Sequence, residues 1–204
     1  MKTKATKVAV LMAVKNGLHY LPEQISTVLN QVQCHVHLFV SDDFSTDGSM
    51  EFLEKISAEH NNISLLPNAL SHGSAAKNFF SLINRVEAKA YDYFAFADQD
   101  DIWFPDKLSQ HIQLAKLHNA DGVSSNVLAF WPDGRECLLD KSQPQLEFDF
   151  LFESAGPGCT YLMTPKLIGK LQAQLQDKGN PAYEVAFHDW LAYAVCRANG
   201  YQWI

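Results

Sequence analysis

The chain has 204 residues, 47% apolar and 19% charged, with a formal net charge of -7; this suffices for one well-cored domain and excludes a non-specific grip on nucleic acid. No run of about 18 apolar residues marks a membrane span, and the start MKTKATKVAVLMAVKNG lacks the small-residue cleavage site expected of a signal peptide. Cys34, Cys137, Cys159 and Cys196 lie far apart without zinc-type spacing, and read as reduced thiols of a cytoplasmic protein.

KVAVLMAV (7–14) is an apolar, β-rich run, and Leu21, Ile25, Val28 and Leu29 after it follow helical spacing. HVHLFVSDD (35–43) reads as a second strand. Asp47 and Ser49 can then cap a helix whose inner face is Phe52, Leu53 and Ile56. NISLLPN (62–68) is a third, short strand, and Ala76, Phe79, Phe80, Ile83 and Val86 form the apolar stripe of a helix. YDYFAFA (91–97) is the fourth strand, followed by Pro105 at the start of a helix that carries Leu108, Ile112 and Ala115 inward. This alternation predicts an α/β domain, a parallel sheet with helices on both faces. Such sheets bind ligands at the carboxyl ends of their strands. The polar clusters stand there: Lys15-Asn16-Gly17, Asp42-Asp43 and Asp98-Gln99-Asp100-Asp101.

The second half is less regular. GVSSNVLAF (122–130), the turn Trp131-Pro132-Asp133-Gly134 and RECLL (135–139) suggest a strand pair. The polar stretch DKSQPQ follows, then AGPGCTYLMTP (155–165), a Gly/Pro loop running into a strand. PKLIGKLQAQLQ and HDWLAYAVCRANG (188–200) are helices, the latter with Gly200 as C-cap. YQWI begins another strand without a visible partner, so the chain is expected to be truncated at its C-terminus.

Asp98 and Asp100, at i and i+2, would share one side of an extended segment. Two carboxylates so placed suit a hard divalent cation with oxygen ligands; the alternative is a solvated loop with a capping Asp. A calcium loop does not fit, because its turn Gly would be Trp103 and its terminal Glu would be Ser109. In FVSDDFSTDGS one carboxylate can accept a ligand N–H, or the acids can simply cap the helix. Asp189 in AFHDW opens a helix, where capping is commoner than general-base work. SHGSAAKN holds a Gly and Lys77 before a helix but is no Walker A loop, and neither G-x-G-x-x-G after a strand nor G-x-S-x-G occurs. Trp103, Trp131 and Trp190 could be sugar platforms, although large aromatics more often belong to the core.

Four segments in order, VAVLMAVKNGLHYLPEQISTVLNQ, LFVSDDFSTDGS, FADQDDIWFPDKL and FHDWLAYAV, together resemble glycosyltransferase family 2 with its GT-A fold. The wording DQDDIW is most similar to a bacterial rhamnosyltransferase-like branch. The resemblance implies a Rossmann-like three-layer sandwich over 1–204, with a nucleotide-binding half at about 1–101 and an acceptor-side half at about 102–204. It implies that Asp43 accepts the N3–H of uracil or thymine, and that Ala13, Lys15 and Gln99 meet the nucleotide. Asp98 and Asp100 would form a DxD motif, Asp100 being the direct ligand of Mg or Mn, and Asp189 would be the catalytic base. Lys77 stands where the family often has the Arg of an Arg-Asn pair, keeping the charge without the bidentate fork. Gly158 and Cys159 would line the sugar pocket. The implied activity is inverting transfer from a nucleoside-diphosphate sugar, dTDP-rhamnose or a UDP-sugar, to a saccharide or lipid-linked acceptor in surface-polysaccharide synthesis. A lipid-linked acceptor would bring peripheral contact with the inner membrane. Two alternatives are a haloacid-dehalogenase-type phosphatase, disfavoured by Ile102 where that motif has Thr, and an inactive nucleotide-sugar-binding domain.

Overall fold

A computed structural model describes residues 5–141 and 143–204. Residues 1–4 of the basic leading flank, and Ser142 of the DKSQPQ stretch, lie outside the described residues.

The main sheet has six strands in the order β3-β2-β1-β4-β8-β5: β1 Thr6–Val14, β2 Cys34–Asp42, β3 Ile63–Leu65, β4 Tyr93–Ala97, β5 Gly122–Val123 and β8 Leu162–Met163. β1 runs parallel to β2 and β4, and β2 to β3, while β8 is antiparallel to both β4 and β5. The helices are α1 Leu21–Leu29, α2 Ser49–Glu59, α3 Ala75–Arg85, α4 Lys107–His118, α5 Pro165–Leu175 and α6 His188–Ala198.

β1 explains why its segment reads as an unbroken apolar run. Val8, Val10 and Met12 pack with Leu21 and Ile25 of α1, Leu53 of α2 and Leu108 of α4. Ala9 and Leu11 pack on the other face with Phe79 and Phe80 of α3, Leu171 of α5 and Ala192 of α6. A central parallel strand covered on both faces shows no polar alternation. The mainly parallel α/β sandwich matches the expected fold class.

The register places the chemistry. Val14 lies opposite Asp42, and Met12 opposite Ala97. The carboxyl ends of β1, β2 and β4 therefore finish together, and Lys15, Asp43 and Asp98 leave the sheet at one edge.

Several expectations need correction. The run 122–130 is two strands, because β5 belongs to the main sheet whereas β6 Val127–Phe130 pairs with β7 Glu136–Leu139 in a separate hairpin. β3 stops at Leu65, short of Pro67, which has no N–H to give a ladder. The N-cap of α2 is Gly48 at φ +95, and Asp47 stands one residue earlier, accepting from the Ser49 N–H and hydroxyl and from the Leu18 N–H. α4 starts at Lys107 after an Asp106 N-cap, two residues beyond Pro105. Asn199 caps α6, and Gly200 follows it at φ +67. The terminal YQWI segment does have a partner: Gly122 N–H donates to Gln202 O, Ser124 N–H to Ile204 O and Ile204 N–H to Gly122 O. Trp203 is buried edge-on to Tyr161 and Tyr193, and a Cβ on Gly122 would meet its ring at 2.0 Å. That close approach requires glycine at 122.

Candidate active site

The sheet edge opens into two cavities that share Asp100. One, of about 360 Å³, is lined by Ala13, Lys15, Asp43, Asn78, Asp98 and Gln99, among others. The second, of about 330 Å³, includes Asp101, Trp103, Phe104, Lys107, Phe130 and Cys159.

Asp42 and Asp43 divide the two roles that the sequence left open. Asp42 accepts from the Ser45 N–H and, at 2.5 Å, its hydroxyl, so it closes a local turn. Asp43 reaches across to the 71–73 loop. Its Oδ1 accepts from the His72 N–H, and its Oδ2 from the Gly73 N–H and the Ser71 hydroxyl. Burial pushes this carboxyl up, but those three donors and the charge of His72 outweigh it and hold the acid below its usual range. Asp43 is therefore a fixed anion at the cavity wall.

Gln99 ties the ends of β1 and β4. Its Oε1 accepts from Lys15 N–H at 2.8 Å, and its Nε2 donates to Lys15 O at 3.1 Å. Gly17 makes room, since a Cβ there would lie 2.6 Å from Gln99 Oε1. The Lys15 ammonium donates to the carbonyls of Asp43 and Phe44. It thus fastens the β2 exit to the β1 exit.

The acidic segment turns at Gln99 instead of staying extended, so the i, i+2 premise for Asp98 and Asp100 is not met. The potential ligand atoms that converge are those of Asp98, Asp101 and Cys159, all within 4.8 Å of one another. Asp100 is exposed, between the two cavities. Burial, followed by the charges of Asp101, Asp100 and Asp189, pushes the Asp98 carboxyl up to about 7. Burial and Asp101 also raise Asp100. Asp101 Oδ2 is buried without a hydrogen-bond partner among the described residues. An orphaned carboxylate oxygen beside a second carboxylate fits a hard divalent cation. Burial, then Asp101 and Asp98, drive the Cys159 thiol far upward, and a soft sulfur suits a hard cation less well than the two carboxylates do.

Asp189 lies in the first turn of α6, close enough to Asp98 for its charge to be felt there. Burial raises its carboxyl, opposed by the Trp190, Asp189 and Gly158 N–H groups. Gly158 lines neither cavity, but a Cβ on it would stand 2.9 Å from Asp189 Cβ, so glycine there lets the 157–160 turn press against α6. Asp189 itself borders the acid cluster without lining either cavity.

Lys77 is exposed on α3 and is not brought to the cavity; its neighbour Asn78 is. Asn78 is buried, donates to Ser41 O, and leaves its Oδ1 without a partner among the described residues. Trp103 is buried and walls the second cavity, whereas Trp131 is 41% exposed under Arg135. Trp190 donates its indole N–H to Phe150 O.

Two further participants escaped the sequence reading. The 71–73 loop offered no signal beyond its small residues. Lys107, first residue of α4, is only partly buried as a residue, yet its ammonium is enclosed, donating to Cys159 O with the Trp103 ring centroid 3.2 Å away. Its signal was a lysine in the first turn of a helix, against the helix dipole, with no acid in that turn.

Residues 9–177 match the family model described as glycosyl transferase family 2. Over 193 residues the chain is 38% identical to the dTDP-rhamnosyl transferase RfbG of Shigella flexneri, covering 94% of this chain and 67% of that protein. It is 29% identical over 155 residues to the UDP-Glc:alpha-D-GlcNAc-diphosphoundecaprenol beta-1,3-glucosyltransferase WfgD of Escherichia coli, covering 74% of this chain and 57% of that one. Among solved structures, the mannosyltransferase PcManGT of Pyrobaculum calidifontis, in complex with GDP-Man and Mn2+, superimposes with a TM-score of 0.69 at 16% identity, over 99% of this chain and 55% of that one. TarS of S. aureus in complex with UDP gives 0.63 at 17% identity, over 80% and 48%. The chain thus spans about half the length of these solved relatives, and the likeness in structure establishes the GT-A fold.

Proposed function

The chain belongs to glycosyl transferase family 2, and from that premise we propose an inverting, metal-dependent glycosyltransferase. It moves a sugar from dTDP-rhamnose or a UDP-sugar to a saccharide or lipid-linked acceptor in surface-polysaccharide synthesis. The observation that carries this reading is the gathering of Asp43, Asp98, Asp101 and Asp189 around one sheet edge that is already hollow. The family match disfavours the phosphatase alternative.

In this reading residues 1–101 supply the donor site. Ala13 and the Lys15 backbone line the floor, and Gln99 keeps it rigid. Asp43, held ionised, accepts the N3–H of a uracil or thymine. Asp98 and Asp101, with Asp100 at the rim, hold Mg or Mn by oxygen. When bound, that ion offsets the charge growing on the departing diphosphate. Lys77, exposed and outside the cavity lining, is left without a direct role in this reading.

Residues 102–204 supply the acceptor side, the second cavity receiving the acceptor between Trp103, Phe104 and Phe130. Asp189, with its carboxyl raised by burial, takes the proton of the attacking hydroxyl. Gly158 holds it in place, and Cys159 borders the sugar. One displacement assisted by one base inverts the anomeric centre. The four thiols are unpaired, in keeping with work in the cytoplasm, and a lipid-linked acceptor would add peripheral contact with the inner membrane. Among the described residues, no helix is long and apolar enough to cross a membrane.

The test is release of nucleoside diphosphate from dTDP-rhamnose, UDP-glucose and GDP-mannose with saccharide acceptors, in Mn2+ or in EDTA. Turnover of a thymidine or uridine donor in Mn2+ alone is expected, and Asp189→Asn should lower it by ~10²–10⁴-fold while leaving nucleotide affinity unchanged. Equal turnover by the wild type and Asp189→Asn would remove Asp189 from its role.

A further inference from the structure

Residues 98–106, between β4 and α4, form neither helix nor strand, yet this stretch carries Asp98, Asp100 and Asp101. Its backbone groups have no ladder of their own to join and need partners elsewhere. They find them along one side of α1. The Gln24 amide N–H donates to Asp98 O at 2.8 Å. The Trp103 N–H donates at 3.2 Å to the Thr27 hydroxyl, which in turn donates to Gln24 O. Just past α1, the Gln31 amide donates to Phe104 O at 2.8 Å and accepts from the Leu108 N–H at 3.0 Å. The Val32 N–H adds a bond to Pro105 O.

Gln24, Thr27 and Gln31 follow i, i+3, i+7 spacing and make a polar stripe beside the apolar one of Leu21, Ile25 and Val28. The stripe is not a solvated face: Gln24 is 0% and Gln31 7% exposed, and Thr27 is half-buried. Gln24 Oε1 has no hydrogen-bond partner among the described residues. A buried amide with one end unmet carries a cost that an apolar side chain in its place would not. What Gln24 contributes is its hold on Asp98 O. The bonds at Asp98 and Trp103 pin the acid-bearing arc at both ends, with Asp101 between them.

Resting on the metal-site reading above, we propose that Gln24 and Thr27 of α1, with Gln31 beyond them, are positioning residues of the cation site. They fix the backbone from Asp98 to Leu108, and so preset the approach of Asp98 and Asp101 before an ion arrives. They act through the backbone and are not themselves ligands. Carboxylates already held in place lose less freedom when an ion binds, so removing a supporting bond weakens the metal.

The experiment compares the full chain as wild type, Gln24→Met, Thr27→Val and the hydroxyl-retaining Thr27→Ser. Free Mn2+ is measured by electron paramagnetic resonance during titration without nucleotide, at a temperature where all are folded. Amide hydrogen exchange is followed in EDTA, and melting in parallel. Gln24→Met and Thr27→Val should bind Mn2+ about tenfold more weakly than wild type. In both, amides of residues 98–103 should exchange faster while those of β1 stay protected. Thr27→Ser should stay near wild type in affinity and exchange. Residues that only packed α1 would lower melting and leave Mn2+ affinity unmoved. Should Gln24→Met fail to fold, the Thr27 pair decides. Mn2+ binding by Thr27→Val as tight as wild type, or unchanged exchange across 98–103, overturns the proposal. No Mn2+ uptake by the wild type is a different result, which removes the metal-site reading and this proposal with it.

Discussion

Asp98 carries the sharpest conflict in the molecule. Its carboxyl is raised from the usual 3.8 to about 7, first by burial and then by Asp101, Asp100 and Asp189. A raised acid favours folding while it is protonated, and that contribution disappears as pH rises from the unfolded value through about 7. Without metal, Asp98→Asn should therefore melt higher than wild type at pH 8 by a few degrees, roughly 2–4 °C for each kcal/mol relieved in a chain of this size. At pH 4 the two should nearly coincide. In Mn2+ the same substitution should abolish metal-dependent nucleotide affinity. A lower melting temperature for Asp98→Asn in EDTA at pH 8 would mean that the acid is not strained. The motifs singled out Asp43, Asp98 and Asp189 as candidates, and the structure brings the first two to one cavity, with Asp189 near Asp98. The convergence of Asp101 on Asp98 and of Lys107 on Cys159 was not legible, because which side chains meet depends on the turn at Gln99, and spacing alone presumes an extended chain.

At the scale of elements, α6 and α3 are joined by a ring stack that also supports the site. His188 lies 3.7 Å from the Phe79 ring centre at 12°, and edge-on to Phe96, while Phe79 lines the cavity that holds Asp43 and Asp98. Burial lowers His188 to about 3, and its Nε2 has no partner among the described residues. The folded chain thus keeps this imidazole neutral. As pH falls below the usual 6.5, the unfolded chain takes up a proton that the native state refuses until about 3, so stability is lost across that window. His188→Phe retains the stack and should flatten the fall of melting temperature between pH 6.5 and 4; a pH profile parallel to wild type would show that His188 is not the titrating group. The first four strands and their helices were readable because parallel strands buried on both faces leave unbroken apolar runs. The 122–130 run misled for a different reason: the only mark of the passage from one sheet to the other is the short polar break at Ser124, Ser125 and Asn126, which was read as part of one strand.

At the scale of the whole molecule, the fold is a device for aligning strand ends. Pairing of Val14 with Asp42 and of Met12 with Ala97 brings three loops of unlike sequence to one edge. The 157–160 turn and α6 approach that edge from the C-terminal half of the chain, with Gly158 against Asp189. The location of the candidate site was legible from strand order alone, since ligands gather at carboxyl ends of parallel strands. Its internal contacts did not, because the Asp43 clamp on residues 71–73 and the Lys107 link to Cys159 join segments 28 to 52 positions apart. Calorimetric titration of dTDP and UDP into the full chain, with Mn2+ and again in EDTA, tests the central claim most directly. Binding that requires Mn2+ and disappears in Asp98→Asn is the predicted result; binding of equal strength in EDTA, or none under either condition, would contradict it.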